Sequence, residues 1–377
     1  MNEVMAINII SIFVLSILYL SILFSQSISK TNMFYGVRIS SEEMNAKELR
    51  QIDKNFKKYI TGVFVITVVA ECILLNGTKL KNPFDLLGVI GFSIVSYYVI
   101  YLKAYKKAKN FKESKIAQTS SESETDKKGK KIIDIDFINE KNSLRKIFFY
   151  LYVVLALLVL GVTIYALVSY ESLPQRIPTH WNFRGEADAW NVKSFYQVFF
   201  PNMMNILLFF LLAYFSLNTF SLRIKLDAQD IEKSKKRAIK YLKGISISFY
   251  ILTCSIVFLL GTAAVAMINQ SNISPYIIGL NLLFLLFAIV LLFYYYYKYG
   301  NVAFSKEKEE KGYSVEDEDK YWIAGFIYNN PDDPLVIVDK RYGLGWTINV
   351  GNLKGKLIMI FLLIFVLITL ISPFVFS

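Results

Sequence analysis

Histidine is nearly missing from this chain: His180 is the only one in 377 residues, beside two cysteines and eight prolines. With one imidazole no multi-histidine metal site can form, and the His-Glu-x-x-His pattern of zinc proteases is absent. No Gly-x-x-x-x-Gly-Lys-Ser/Thr phosphate loop and no Gly-x-Ser-x-Gly nucleophile elbow occurs. These gaps argue against a membrane-embedded enzyme and leave neither a metal nor a cofactor to assign. Cys72 and Cys254 both fall inside apolar runs, so they read as small packing residues, not as a disulfide framework. Acids are scarce in the same runs. Glu71 is the only one well inside.

Apolar sequence is what the chain has in abundance, at 54% hydrophobic and 16% aromatic. A helix needs about 20 apolar residues to cross the hydrocarbon core of a bilayer. Eight stretches meet or approach that length: 4–24, 59–75, 84–102, 147–168, 198–220, 245–268, 275–297 and 357–374. The expected fold is therefore an all-α polytopic membrane protein of about eight transmembrane helices. The first run is expected to stay as a helix, because its leading Met1-Asn-Glu has no basic residue and no small-residue cleavage site follows.

The net charge of +12 raises the question of nucleic acid, and its distribution argues for the lipid bilayer as partner instead. Loops 25–58, 103–146, 221–243 and 298–356 hold 7, 13, 8 and 9 Lys and Arg, or 37 of 42. The alternate loops hold only Lys79, Lys81, Arg176, Arg184 and Lys193. Basic residues near helix ends stay in the cytoplasm, so the asymmetry predicts a multi-pass cell-membrane protein with both termini outside.

Composition divides the chain further. Residues 1–105 read as a three-helix membrane part and 106–146 as a disordered basic cytoplasmic linker, too polar to fold alone. A four-helix part, 147–300, includes an outer loop at 169–197; a charged linker, 301–320, follows. Residues 321–352 form a small cytoplasmic module before the last helix, 353–377. Its β-branched pieces 336–338 and 347–350 predict a hairpin. Met44, Leu49, Ile52 and Phe56 predict either an amphipathic helix on the inner leaflet or an extension of the second span.

Three places carry chemistry. The outer loop gathers Pro178, His180, Trp181, Asn182, Gly185, Glu186, Asp188 and Trp190, a mixture too rich for a plain connector. Here His180 either contacts a ligand together with the tryptophans, or fixes the loop by bonding a neighbouring carbonyl or carboxylate. A mixed metal site with Glu186 and Asp188 is the weakest of the three readings. Glu71 is either a proton or cation site or a carboxylate reaching towards Lys79 and Lys81. Asn205, Asn218 and Asn281 suit hydrogen bonds between helices. The module offers Trp322, Asn330, Pro331, Asp332, Asp333, Pro334, Arg341, Gly343, Gly345 and Trp346, with turn formers and aromatic anchors interleaved.

The stretch Ile177-Pro-Thr-His-Trp-Asn182, followed by Gly185-Glu-Ala-Asp188, resembles the signature of a bacterial membrane family. That family includes the immunity protein for the sporulation-delaying toxin (SdpI-like) and many multi-pass proteins of unknown activity. Tyr328-Asn-Asn-Pro-Asp-Asp-Pro334 and Lys340-Arg-Tyr-Gly-Leu-Gly-Trp-Thr-Ile-Asn349 look like a second module found with it. What the resemblance implies is immunity to a membrane-active peptide. The expected function is thus a protective or sensory membrane protein that meets an extracellular peptide or envelope component, with a cytoplasmic regulator as a second partner. A small-solute or ion-coupled transporter is the alternative.

Overall fold

The computed structural model describes residues 3–29, 32–77, 83–119, 134–182, 184–222, 224, 226, 230–300, 318–343 and 345–375. Among them are eight helices: α1 (Glu3–Leu23), α2 (Lys47–Gly77), α3 (Pro83–Thr119), α4 (Ile135–Ser169), α5 (Phe195–Thr219), α6 (Ile231–Ile268), α7 (Pro275–Tyr295) and α8 (Leu353–Val375). A π-helical turn, Tyr296–Gly300, prolongs α7. Four two-stranded antiparallel hairpins decorate them. These are β1 (Met33–Phe34) with β2 (Val37–Arg38), β3 (Arg176–Trp181) with β4 (Ala187–Val192), β5 (Trp322–Ile323) with β6 (Ile327–Tyr328), and β7 (Ile337–Asp339) with β8 (Trp346–Ile348).

Helices cover all eight apolar stretches. Five described segments are long and apolar enough to cross a membrane: Gly88–Ile116, Ile135–Ser169, Phe195–Thr219, Ile231–Ile268 and Pro275–Gly300. Their outer faces are apolar too. Val168 of α4 is 78% exposed and Leu283 of α7 is 64% exposed, which fits lipid contact better than water.

Two compact units make up the chain. Met1–Lys128 and Glu307–Ser377 form a split unit, and Gly129–Lys306 forms an inserted unit. Several helix boundaries differ from the sequence reading. The 106–146 tract was expected to be disordered, yet α3 runs on to Thr119 and α4 begins at Ile135; residues 120–133 lie outside the described set. Charge alone misled here, because Ala108, Phe111 and Lys112 are buried and hold that turn of α3 by packing. Leu49, Ile52 and Phe56 lie on α2 itself and Met44 in the turns before it, so α2 extends below its apolar stretch and no separate surface helix forms among the described residues.

In the split unit, α1–α3 carry a cap built from both ends of the sequence. Hairpin β1–β2 closes through Tyr35 and Gly36 at φ 46° and 82°, the two left-handed residues of a type I′ turn. Gln26 secures it, accepting from the Tyr35 amide at 2.8 Å and donating to the Met33 carbonyl at 2.8 Å. The β5–β6 turn places Ala324 and Gly325 at φ 50° and 76°. The two turns meet at Gly36 and Gly325, where a Cβ on Gly36 would strike the Gly325 backbone. Beneath them Tyr101 of α3 sits near both: its hydroxyl is 2.9 Å from the Ala324 carbonyl and 3.2 Å from that of Tyr35. Tyr342 packs on the Tyr35 and Tyr101 rings and bonds the Ser25 hydroxyl. Burial first, then Asp53, keeps the Tyr342 phenol above its ordinary titration range despite the Ser25 bond, so it stays neutral.

The inserted unit packs α4, α5 and α6 around Tyr152, Leu155, Val159, Phe209, Ala213 and Val257. Each helix starts on a cap. Asp134 accepts from the Phe137 amide at 2.9 Å, Ser194 from Gln197 at 3.2 Å and Asp230 from Lys233 at 3.1 Å. Asp134 also receives Lys235 of α6 at 2.8 Å, and that bond leads the causes holding its carboxyl below the usual range. Of the three asparagines expected to join helices, Asn205 does so, donating to the Val257 carbonyl at 3.2 Å. Asn218 and Asn281 instead turn back to Tyr214 and Ile277 of their own helices, whose carbonyls one turn earlier are nearer acceptors.

Candidate functional site

The 169–197 loop, expected to be more than a plain connector, folds as the β3–β4 hairpin. Pro178 pairs with Trp190, His180 with Ala189 and Trp181 with Ala187, and the register shifts between Pro178 and His180 and again before Trp181. Such irregularity locally twists the strand and re-aims side chains. Ile177 and Pro178 are buried, Ile177 completely, against Ala166, Leu173, Val198, Phe199 and Met267.

Asn182 builds the turn. Its amide nitrogen donates to the Glu186 carbonyl at 3.0 Å, and its side-chain oxygen accepts from Arg184 at 2.8 Å and Glu186 at 3.1 Å. The Asn182 side-chain nitrogen donates to the Glu186 carboxylate at 3.1 Å. Gly185 completes the turn at φ 75°.

That turn is clamped to the α6–α7 loop. The Ile273 amide donates to the Gly185 carbonyl at 2.8 Å, Ala187 donates to the Asn272 side chain at 3.3 Å, and the Trp181 indole donates to the Ser271 carbonyl at 3.0 Å. At the other end Lys193 donates to the carbonyls of Leu173 at 3.0 Å and Tyr170 at 3.3 Å, so its charge sits at the carbonyl-rich end of α4. Ser271, Asn272 and Lys193 were not among the expected site residues. Of these, only Asn272 opens a recognisable sequence pattern, Asn272-Ile-Ser274, and its side chain is occupied by the hairpin.

The eight predicted residues thus share one hairpin but divide by role. Trp181, Asn182, Gly185 and Glu186 shape and dock it, and Pro178 is buried beneath it. His180, Asp188 and Trp190 remain on the surface. The His180 Nδ1 lies 2.5 Å from the Asp188 carboxylate, with side chains 67% and 41% exposed, and Trp190 is 44% exposed. Glu186 is bonded to Asn182 and does not join that pair. Among the described residues no group of three or more His, Cys, Asp and Glu gathers in metal-binding fashion.

The expected residues of the 321–352 module lie in the split unit and mostly make scaffold. The expected hairpin is there, with Ile337 opposite Ile348 and Asp339 opposite Trp346. Its organiser is Asn349, fully buried and unforeseen. The Asn349 side chain donates to the carbonyls of Asn330, Asp333 and Leu335 at 2.8, 3.1 and 3.2 Å, and accepts from Asn330 and Gly351 at 3.0 and 2.9 Å. Asn330 caps Asp332 at 3.0 Å, and Asp333 receives Leu335 at 3.0 Å and the Tyr328 hydroxyl at 3.1 Å. Pro331 lies in that turn and Pro334 directly follows it. Gly343 and Gly345 take φ 72° and 96°, and the Gly343 amide donates to Ser29 at 2.8 Å. Arg341 lies over the Trp322 ring at 5.1 Å and bonds Asp319, which Lys112 of α3 also reaches at 2.5 Å. Trp346 takes part in β8.

Comparison with known families adds two matches. Residues 157–205, from the middle of α4 through the hairpin into α5, match a domain of unknown function, DUF1648. Residues 331–356 match a family of unknown function, DUF5808, and span the Asn349-centred turn and β7–β8. No curated protein and no solved structure matches the chain.

Proposed function

We propose that this chain is a multi-pass cell-membrane protein, bacterial in origin, with eight spans and both termini outside. Its β3–β4 hairpin recognises an extracellular peptide or envelope component, in a protective or sensory role without catalysis. One observation carries the reading: the hairpin is fixed at both ends by the α6–α7 loop and the end of α4, yet leaves His180, Asp188 and Trp190 exposed. A polar pair beside an exposed indole on a rigid support is suited to binding, since little side-chain order has to be created on contact. The SdpI-like resemblance of the same residues supports immunity to a membrane-active peptide as the particular role, with the module at 321–352 meeting a cytoplasmic regulator.

Cells lacking the gene are expected to become sensitive to membrane-active peptides. His180→Ala and Trp190→Ala are expected to fail in restoring resistance while reaching wild-type levels in the membrane, because both side chains face outward. Full rescue by both variants would remove the hairpin face from the function. Orientation has its own measurement. Reporter fusions after Gly185 and after Lys127 are expected to report outside and inside, and the reverse would invert the topology.

A second reading, an ion-coupled transporter, is favoured by one residue: Glu71 is buried among α1–α3 at 1% exposure.

A further inference from the structure

Glu71 has surroundings unlike any other acid described. On α2 no charged residue occurs between Lys58 and Glu71, and the next cation along the chain is Lys79. Its side chain is 1% exposed, and Ser11 of α1, itself fully buried, faces the carboxyl. Neither Glu71 oxygen nor the Ser11 hydroxyl makes a well-formed hydrogen bond with a described residue. One turn earlier Thr67, 2% exposed, donates to the Val63 carbonyl at 2.7 Å and accepts from Ser93 of α3 at 3.3 Å. The Thr67 proton is therefore committed elsewhere.

Among the described residues, the helices packed on α2 supply no counter-charge at this depth. Between Glu3 and Lys30 the only titratable group is Tyr19, whose hydroxyl is 3.0 Å from that of Thr61. Between Asp85 and Lys103, α3 contributes only the phenols Tyr97, Tyr98 and Tyr101. A carboxylate taken out of water with neither a cation nor hydrogen-bond donors is heavily penalised, and such a group is neutralised instead. A hard metal cation prefers about six or more oxygens, and the two carboxyl oxygens with Ser11 make three. A single proton satisfies the same atoms.

We propose that Glu71 and Ser11 form a proton-binding site in the core of the split unit, where the carboxyl rests neutral and exchanges one proton. The assignment rests on α1–α3 spanning the membrane and is independent of what the hairpin recognises. It gives the chain a titratable element inside the bilayer, the component that proton-coupled membrane proteins require.

Infrared spectroscopy of the full chain in lipid vesicles at neutral pH tests it. A protonated-carboxyl stretch that shifts in D2O is expected from the wild type and from Asp85→Asn, and is expected to vanish in Glu71→Gln. Ser11→Ala should retain the band but move it. Absence of the band in the wild type, or its survival in Glu71→Gln, overturns the proposal. If Glu71→Gln does not fold, carbodiimide labelling of the wild type decides. This reagent attacks protonated carboxyls in apolar surroundings, and peptide mapping is expected to find the adduct on Glu71 with or without sodium. No adduct there, or protection by sodium, would likewise overturn it. Because the reporter fusions read orientation separately, a failure of the spanning topology is distinguishable from a failure of the site.

Discussion

Gly185→Ala is expected to free the β3–β4 hairpin from the inserted unit. The native φ of 75° disfavours any L side chain, and the new Cβ would land on the Ile273 carbonyl. The Ile273-to-Gly185 hydrogen bond would have to break to make room. Left-handed strain and forced backbone movement together are worth about 2–4 kcal/mol. Amide exchange at Ile273 and protease cutting in 182–187 should both rise sharply. Resistance to peptides should fall although His180, Asp188 and Trp190 are untouched. Gly343→Ala is the matched control. It meets the same positive φ of 72° but open space around the Cβ, so only the conformational part of the cost, about 1–2 kcal/mol, is expected. Equal effects from the two variants would mean that contact with Ile273 does not hold the hairpin.

Asp319→Ala is expected to loosen the C-terminal module to a similar or larger degree. Asp319 receives both Arg341 and Lys112, whose side chains are only 4% and 5% exposed. Removing one partner of a buried ion pair costs about 3–5 kcal/mol, mainly because the remaining charge stays desolvated. In inverted vesicles, protease is then expected to cut within 321–352 in the variant and to spare that region in the wild type. Arg341→Met in the Asp319→Ala background should recover part of the loss, since it removes one of the two stranded cations. A wild-type cleavage pattern for Asp319→Ala would show that the module is held by the Tyr101 and Tyr342 contacts alone.

What could be read from the sequence followed the range of the interactions. Apolar run length located all eight helices, because that signal lies within one element. Turn chemistry marked the turns at 330–335, since Asn330 and Asp333 act on neighbours two residues ahead. It missed Asn349, whose partners lie 14 to 19 residues earlier and whose side chain looks like any loop amide until the chain folds back. Hairpin β1–β2 has two residues per strand, too few for alternation to register. In β3, Pro178 and the shifted register break the period of two that would have announced a strand. Lys112 read as one more solvated base. Its burial against Asp319 is set by a residue 207 positions away.

The glycine-to-glycine meeting of the β1–β2 and β5–β6 turns has a consequence for how the protein is made. Tyr101 emerges from the ribosome 223 residues before Ala324, its hydrogen-bond acceptor, and the whole inserted unit is translated in between. At about 5–20 residues per second, that leaves an interval on the order of 10–45 s. Throughout it, Gly36, Tyr35 and the aromatic surface around Tyr101 wait without the residues that will cover them. The earliest-made third of the protein is therefore the last to be finished, and its safety during synthesis depends on whatever shields that aromatic surface until Tyr342 arrives.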